Sequence, residues 1–111
     1  MRETILQELY PSGIVAQQTV TFDLGWDDSY SFSITAPLEC RKAVITTSGY
    51  HPENGVILSI SSSAGTKTFS TSASSGTKTY NGLCKKISLS RITFPEGYGS
   101  AKFTLTVKMY Y

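Results

Sequence analysis

The fold class is decided by residues 14–24, which read IVAQQTVTFDL. The even positions of this stretch are apolar except for Gln18, and the odd positions from 17 to 23 are polar. A period of two is typical of a β-strand that turns one face to a core and the other to water. The stretch therefore predicts a half-buried strand.

The same alternation returns twice and is joined by five shorter β-rich segments. Apolar positions in the two long repeats are Tyr30, Phe32, Ile34 and Ala36, then Phe103, Leu105, Val107, Met109 and Tyr111. The shorter segments are 43–47, 56–62, 67–71, 77–80 and 84–92, with turn-forming residues between them. The sharpest turn signal is Asn81-Gly82, because both residues tolerate the positive φ that a two-residue hairpin needs.

These patterns predict an all-β chain with one domain. We expect a single antiparallel β-sandwich or jelly roll of about eight short strands over residues 14–111. Residues 1–13 are expected to form a short N-terminal arm or a helical turn, since Thr4 and Gln7 have the spacing of a capping box and Pro11 would end a helix.

Composition excludes several classes of protein. Only 16% of the 111 residues are charged, whereas 30 are serine or threonine. No apolar run is long enough to span a membrane, and the first nine residues lack the apolar core of an export signal. The net charge of +2 is too small to indicate nucleic-acid binding.

Charge is distributed unevenly along the chain. Residues 1–40 carry one basic and six acidic side chains, whereas residues 41–111 carry nine basic and two acidic ones. Strands from the two halves that interleave in one sheet would bring opposite charges together. The alternative is a polar molecule that stacks head to tail with copies of itself.

One internal repeat is present. Residues 65–69, GTKTF, recur as residues 76–80, GTKTY. The simple interpretation is a pair of neighbouring edge strands protected from aggregation by their lysines. A partner that adds a strand to such an edge is the alternative.

Strand direction predicts where the chemistry gathers. If each of the eight strands runs antiparallel to the one before it, connections alternate between two ends of the domain. One end then carries residues 25–28, 48–55, 72–76 and 93–100, and the other carries 37–42, 63–66 and 81–82. The first end holds the candidate site for a ligand or partner, which comprises Trp26, Asp27, Asp28, Tyr50, His51 and Tyr98.

Both cysteines fall at the second end. Cys40 and Cys84 are too few for a metal site and form no Cys-x-x-Cys motif. We expect a Cys40–Cys84 disulfide, which would close a loop of about 45 residues and add roughly 4 kcal/mol of stability. Such a bridge indicates an oxidising location. Two buried free thiols are the alternative.

Catalysis, cofactors and metals are not expected. The single histidine, His51, leaves few ways to build a nucleophilic triad, and no Gly-x-Ser-x-Gly elbow occurs. The acidic residues match no calcium-loop spacing, and no phosphate-binding glycine loop is present.

The remaining hypothesis is a non-enzymatic structural or adhesion module of an extracellular assembly. Its most concrete form is a small bacteriophage virion protein, such as a capsid decoration, head fibre or tail component, with other copies of itself or other subunits as partners. A carbohydrate-binding module that stacks sugars on its loop aromatics is the first alternative. An immunoglobulin-like protein-binding domain is the second.

Overall fold

Six strands form one antiparallel sheet in a computed structural model that describes residues 9–24, 30–49, 53–71, 76–94 and 101–111. The strands are β1 (Ile14–Asp23), β2 (Ser33–Gly49), β3 (Glu53–Ser62), β4 (Gly65–Ser70), β5 (Gly76–Thr93) and β6 (Lys102–Tyr110). Their order across the sheet is β1-β6-β2-β5-β3-β4, and every neighbouring pair is antiparallel. The all-β, antiparallel prediction is confirmed.

The strand count differs from the prediction because two pairs of expected strands are continuous. Segments 30–36 and 43–47 contribute to β2, and segments 77–80 and 84–92 both belong to β5. The predicted hairpin at Asn81-Gly82 is therefore wrong, since Asn81 pairs with Lys42 inside the ladder between β2 and β5. Only β3 and β4 are neighbours both along the chain and in the sheet.

Side-chain packing explains the glycine at this position better than a turn does. A Cβ atom on Gly82 would lie 3.0 to 3.1 Å from the ring and hydroxyl of Tyr80. Glycine inside a strand is typical of places where another group approaches the backbone closely. The local turn signal of Asn81-Gly82 is thus overridden by long-range pairing and by the Tyr80 ring.

Register shifts interrupt the pairing of β2 with β5. Between the pairs Thr35–Lys86 and Cys40–Cys84, four residues of β2 lie opposite one residue of β5. The buried positions of β2 are even up to Cys40 and odd from Ala43 onward. Extra residues of this kind bend a strand and strengthen its twist. Pro37 lies within the irregular stretch, where its missing N–H removes no regular ladder bond.

Ring contacts show that the sheet bends back on itself at these shifts. Phe103 pairs with Gly49 at the end of β2, whereas Tyr30 precedes the start of β2. A straight strand of this length would separate its two ends by roughly 50 Å. Instead, Tyr30 contacts Phe22 with ring centroids 5.1 Å apart, and Phe22 stacks on Phe103.

A single core lies on the inner side of this bend. Its buried members are Phe22, Leu24, Phe32, Ile34, Ala36, Cys40, Ala43, Ile45, Val56, Leu58, Ile60, Cys84, Ile87, Phe103, Leu105, Val107 and Met109. They come from β1, β2, β3, β5 and β6, with Leu24 and Phe32 beside the strand ends. Among the residues that the structure describes, no buried side-chain nitrogen or oxygen lacks a hydrogen-bond partner.

The strand order interleaves the acidic and the basic parts of the chain. β1 and β2 begin within the acidic first forty residues, and β6, which belongs to the basic part, lies between them. Asp23 at the end of β1 pairs in register with Lys102 of β6. This arrangement matches the interleaved interpretation of the charge asymmetry. It also places the last strand inside its own chain's sheet.

Gly49 has a backbone that only glycine accommodates. Its φ is +96°, and a Cβ atom there would collide with the carbonyl oxygen of Lys102. The close approach lets the end of β2 lie against the start of β6.

The described end of the expected arm, residues 9–13, packs on the last strand. The Gly13 N–H donates to the Tyr10 carbonyl, and the Tyr111 N–H donates to the Gly13 carbonyl. Tyr10 and Tyr111 have ring centroids 6.3 Å apart. Residues 1–8 lie outside the described residues. Within the described ranges, the structure contains no helix of the length and apolarity that a membrane crossing requires.

Removing the Phe103 ring should severely destabilise the fold. Phe103 is 1% exposed and contacts Phe22 and Phe94, so Phe103→Ala is expected to cost about 3–5 kcal/mol of unfolding free energy. Leu83→Ala is the control, because Leu83 is 39% exposed and should change stability by less than about 0.5 kcal/mol. Urea unfolding measures both, and equal losses would contradict this account of the core.

Candidate functional site

The candidate binding residues predicted from the sequence lie outside the described residues. They are Trp26, Asp27, Asp28, Tyr50, His51 and Tyr98. The described strand ends nearest to these residues are at Leu24, Gly49 and Ala101, and they lie together. Leu24 donates its N–H to the carbonyl of Ala101 at 3.0 Å, and Gly49 pairs with Phe103. The binding site itself stays a prediction.

The two cysteines face each other on neighbouring strands at the bend. Cys40 of β2 is the register partner of Cys84 of β5, and both side chains are fully buried free thiols. Directly opposed residues in antiparallel strands have Cα atoms about 4.5–5.5 Å apart, which lies within the range that a disulfide spans. The disulfide stays a hypothesis, and its two residues lie opposite each other on adjacent strands.

This pairing differs from the bridge of an immunoglobulin domain. An immunoglobulin disulfide joins two separate sheets through the core. Here both cysteines belong to adjacent strands of one sheet. The arrangement gives the immunoglobulin alternative no support.

Burial makes both thiols poor nucleophiles. Desolvation, with a smaller contribution from neighbouring groups, raises the pKa of Cys40 and of Cys84 to about 11 from an ordinary value near 9. The thiolate is the reactive form of cysteine, so these thiols are inert near neutral pH while the protein is folded.

Glu39 ties the turn between β3 and β4 to the bend. One carboxylate oxygen accepts hydrogen bonds from the Ser63 N–H at 2.7 Å and from the Ser63 hydroxyl at 2.8 Å. These bonds, with a smaller effect of the Lys85 charge, lower the pKa of Glu39. Sequence reasoning missed this contact, because nothing local to Glu39 points to a turn 24 residues away.

The internal repeat forms a contact at the β4 edge, although its two copies are not hydrogen-bonded neighbours in the sheet. The first copy is β4, and the second opens β5, where residues 76–80 pair with β2 alone because β3 pairs with residues 86–93. Lys78 donates from Nζ to the Ser70 carbonyl at 2.7 Å and lies over the Phe69 ring, and Phe69 meets the Tyr80 ring edge-on. The two copies therefore meet through their lysine and aromatic positions.

Lys78 shields the outer edge of β4. The Thr71 N–H donates to the Val56 carbonyl, so odd residues of this segment bond to β3 and even residues direct their backbone groups outward. Ser70 is even, and its carbonyl accepts the Lys78 ammonium. β4 also contains exposed Lys67 and is only six residues long. Lysines and short length are features that protect a sheet edge.

The opposite edge, β1, is built differently. β1 has ten residues, and none from Ile14 to Phe22 is charged or proline. Because Leu24 bonds to Ala101, even residues of β1 bond to β6 and odd residues from 17 to 23 direct their backbone groups outward. This edge carries none of the lysines that shield β4.

Threonine hydroxyls form a row across the outer face next to this edge. Thr19, Thr106, Thr46 and Thr77 are register partners on β1, β6, β2 and β5. Their hydroxyls are 3.0 Å apart between Thr19 and Thr106 and 3.2 Å apart between Thr46 and Thr77. A second pair, Thr21 and Thr104, lies 3.1 Å apart. The alternating pattern predicts that these threonines lie on the polar face, but it does not predict that they lie beside one another.

A small surface cavity lies at the bend end of the sheet. Its volume is about 160 Å³, and Ile60, Ser62, Ala64, Gly65, Lys67, Tyr80 and Leu83 line it. An aromatic ring, a lysine and a hydroxyl therefore share one concave surface.

Mild oxidation should bridge the paired cysteines. We expect the protein refolded from denaturant in the presence of oxidised glutathione, which is reduced to two glutathiones, to lose two hydrogens in intact mass and to gain roughly 4 kcal/mol of stability. Mass spectrometry with and without reduction, after alkylation in denaturant, measures the bridge. Two thiols that are both alkylated without reduction would contradict the hypothesis, and Cys84→Ala is the control that cannot form it.

The reduced protein should lose stability at alkaline pH. Each thiol has a folded pKa near 11 and an ordinary value near 9, so the folded state binds more protons between these values. The stability that each raised pKa gives the folded state is complete below pH 9 and is lost as pH rises to 11. This contribution is on the order of 1–3 kcal/mol per thiol. Urea unfolding between pH 9 and pH 11 measures this loss, and the double variant Cys40→Ala/Cys84→Ala is the control. Its unfolding free energy should fall less steeply with pH than that of the wild-type chain. Equal pH dependence in the two proteins would contradict the raised thiol pKa values.

Comparison with known proteins adds no family to this description. No protein-family model matches the chain, and no curated protein sequence matches it. Within the described residues, no group of three or more histidine, cysteine, aspartate or glutamate side chains is arranged to hold a metal ion.

Proposed function

We propose that this chain is a non-enzymatic structural or adhesion module of an extracellular assembly. Its most concrete form is a small bacteriophage virion protein, and its partners are other copies of itself or other subunits. The observation that carries the proposal is the contrast between the two sheet edges. β4 is short and shielded by Lys78 and Lys67, whereas β1 is long and uncharged from Ile14 to Phe22.

Edge chemistry explains why this contrast points to assembly. An edge strand offers unpaired N–H and C=O groups to another chain, and proteins that work as monomers blunt such strands with lysine, proline or short length. β4 follows this rule. The absence of the same devices from β1 is expected where the strand has a partner in the working state.

We further propose that the bent sheet packs as two layers, in the manner of the expected sandwich. The contacts of Tyr30 and Phe94 with Phe22 and Phe103 support this arrangement, because they join the start of β2 and the end of β5 to the far ends of β1 and β6. Two layers would place a rigid, hydroxyl-rich face on the outside.

Carbohydrate binding is the second candidate, and the cavity beside Tyr80 favours it. Rings that stack on sugar faces, with a few polar groups beside them, are typical of such sites. Tyr80, Lys67 and Ser62 provide one ring and two polar groups on a single surface.

Self-association should be measurable in solution. We expect light scattering coupled to size exclusion to show a mass that rises with concentration above the 12.1 kDa of one chain. A strictly monomeric protein at millimolar concentration would count against assembly with its own copies. If that monomer also bound a glycan array and lost binding on Trp26→Ala or Tyr80→Ala, the carbohydrate-binding function would replace the structural one.

A further inference from the structure

We propose that β1 pairs antiparallel with β1 of a second copy of this chain, across a two-fold axis at Thr19. The inference rests on the proposed function and deepens it, since it names the partner, the strand and the register of the assembly.

The backbone groups of the odd residues of β1 point away from β6. Leu24 donates its N–H to the carbonyl of Ala101, which makes 24 and 101 a hydrogen-bonded pair. Such pairs alternate along an antiparallel ladder. Gln17, Thr19 and Thr21 therefore direct N–H and C=O groups away from β6. Two strands that meet along these odd residues can exchange backbone hydrogen bonds while each keeps its own bonds to β6.

The alternative contact, between β1 of one copy and β4 of another, is disfavoured. Lys78 already occupies the outward Ser70 carbonyl of β4, and its ammonium would have to leave both that oxygen and the Phe69 ring. A β1–β4 contact is also head to tail, and would generate filaments or rings. A β1–β1 contact uses the same surface twice and closes as a dimer.

The shape of β1 selects the register. A register shift falls between Ile14 and Ala16, and pairing with β6 is regular from Ala16 to Asp23. A two-fold axis at Thr19 pairs residues 16–22 with residues 22–16 of the other copy, within this regular part. Odd residues then meet odd residues, so each inner face stays on the same side of the joined sheet.

Side-chain chemistry agrees with this register. On the inner side, small Ala16 meets large Phe22, and on the outer side Gln17 meets Thr21. No charged side chain faces another within the paired stretch, because Asp23 lies just beyond it. At the axis Thr19 meets Thr19, which would join the threonine rows of the two copies into one row.

Matched lysine substitutions test the proposal. Thr19→Lys places two ammonium groups opposite each other at the axis and should raise the dissociation constant of the dimer at least about tenfold. Thr68→Lys is the control, because Thr68 is an exposed threonine on the other edge strand, β4, and its substitution should leave dimerisation unchanged. Light scattering over a concentration series measures both, and unfolding in urea verifies that both variants fold.

A cysteine at the axis tests the register. Thr19→Cys should form an intermolecular disulfide when oxidised glutathione is added, with two thiols converted to one disulfide and glutathione disulfide reduced to two glutathiones. Opposed residues at this kind of pair have Cα atoms about 5.5 Å apart, within disulfide range. Thr68→Cys and the wild-type chain should form no disulfide between copies.

The outcomes separate this inference from the proposed function. Loss of the dimer in Thr19→Lys but not in Thr68→Lys, with crosslinking of Thr19→Cys, supports the β1 pairing. A wild-type chain that associates, with Thr19→Lys associating equally well and Thr19→Cys uncrosslinked, overturns the pairing and leaves the assembly role standing. A wild-type chain that is monomeric throughout overturns the pairing and the assembly of this chain with its own copies.

Discussion

The register shift around the Cys40–Cys84 pair is the constraint on which the rest of the structure depends. It turns two long strands back on themselves, so that β2 and β5 each serve both halves of the sheet. Without it the start of β2 could not reach Phe22, and the apolar residues of the two halves would not share one core. Packing at the bend buries the side chains of both cysteines completely. This position therefore accommodates two small, uncharged side chains.

Much of the fold could be predicted because alternation is a local property. The period of two in residues 14–24 and 102–111 identifies the strands and their buried faces, and Phe22, Phe103 and Leu105 are buried as expected. The interruption of β2 and β5 was also visible, as Pro37 and Asn81-Gly82. Its nature was not, because a bulge and a hairpin share the same local residues and differ only in what pairs across them. Long-range partners decide that difference.

The candidate site divides in the same way. Proximity of the two cysteines followed from counting strand reversals, and the count gives the right neighbours because each bend replaces a turn. The contacts of Glu39 with Ser63 and of Lys78 with Ser70 could not be derived, since they depend on which strands lie side by side. The internal repeat was a usable signal, because its lysine and aromatic positions include Lys78, Phe69 and Tyr80, whose side chains contact one another.

The order of strands also determines how the domain bears mechanical load. Ile14 at the start of β1 and Tyr110 at the end of β6 are register partners, so the two ends of the described sheet emerge side by side. Tension applied between them would open the β1–β6 ladder one hydrogen bond at a time, which needs little force. Tension applied along β1 by a strand bonded to its outer edge would act in shear on all of the bonds at once. A chain with this topology resists pulling through its edge better than pulling through its ends.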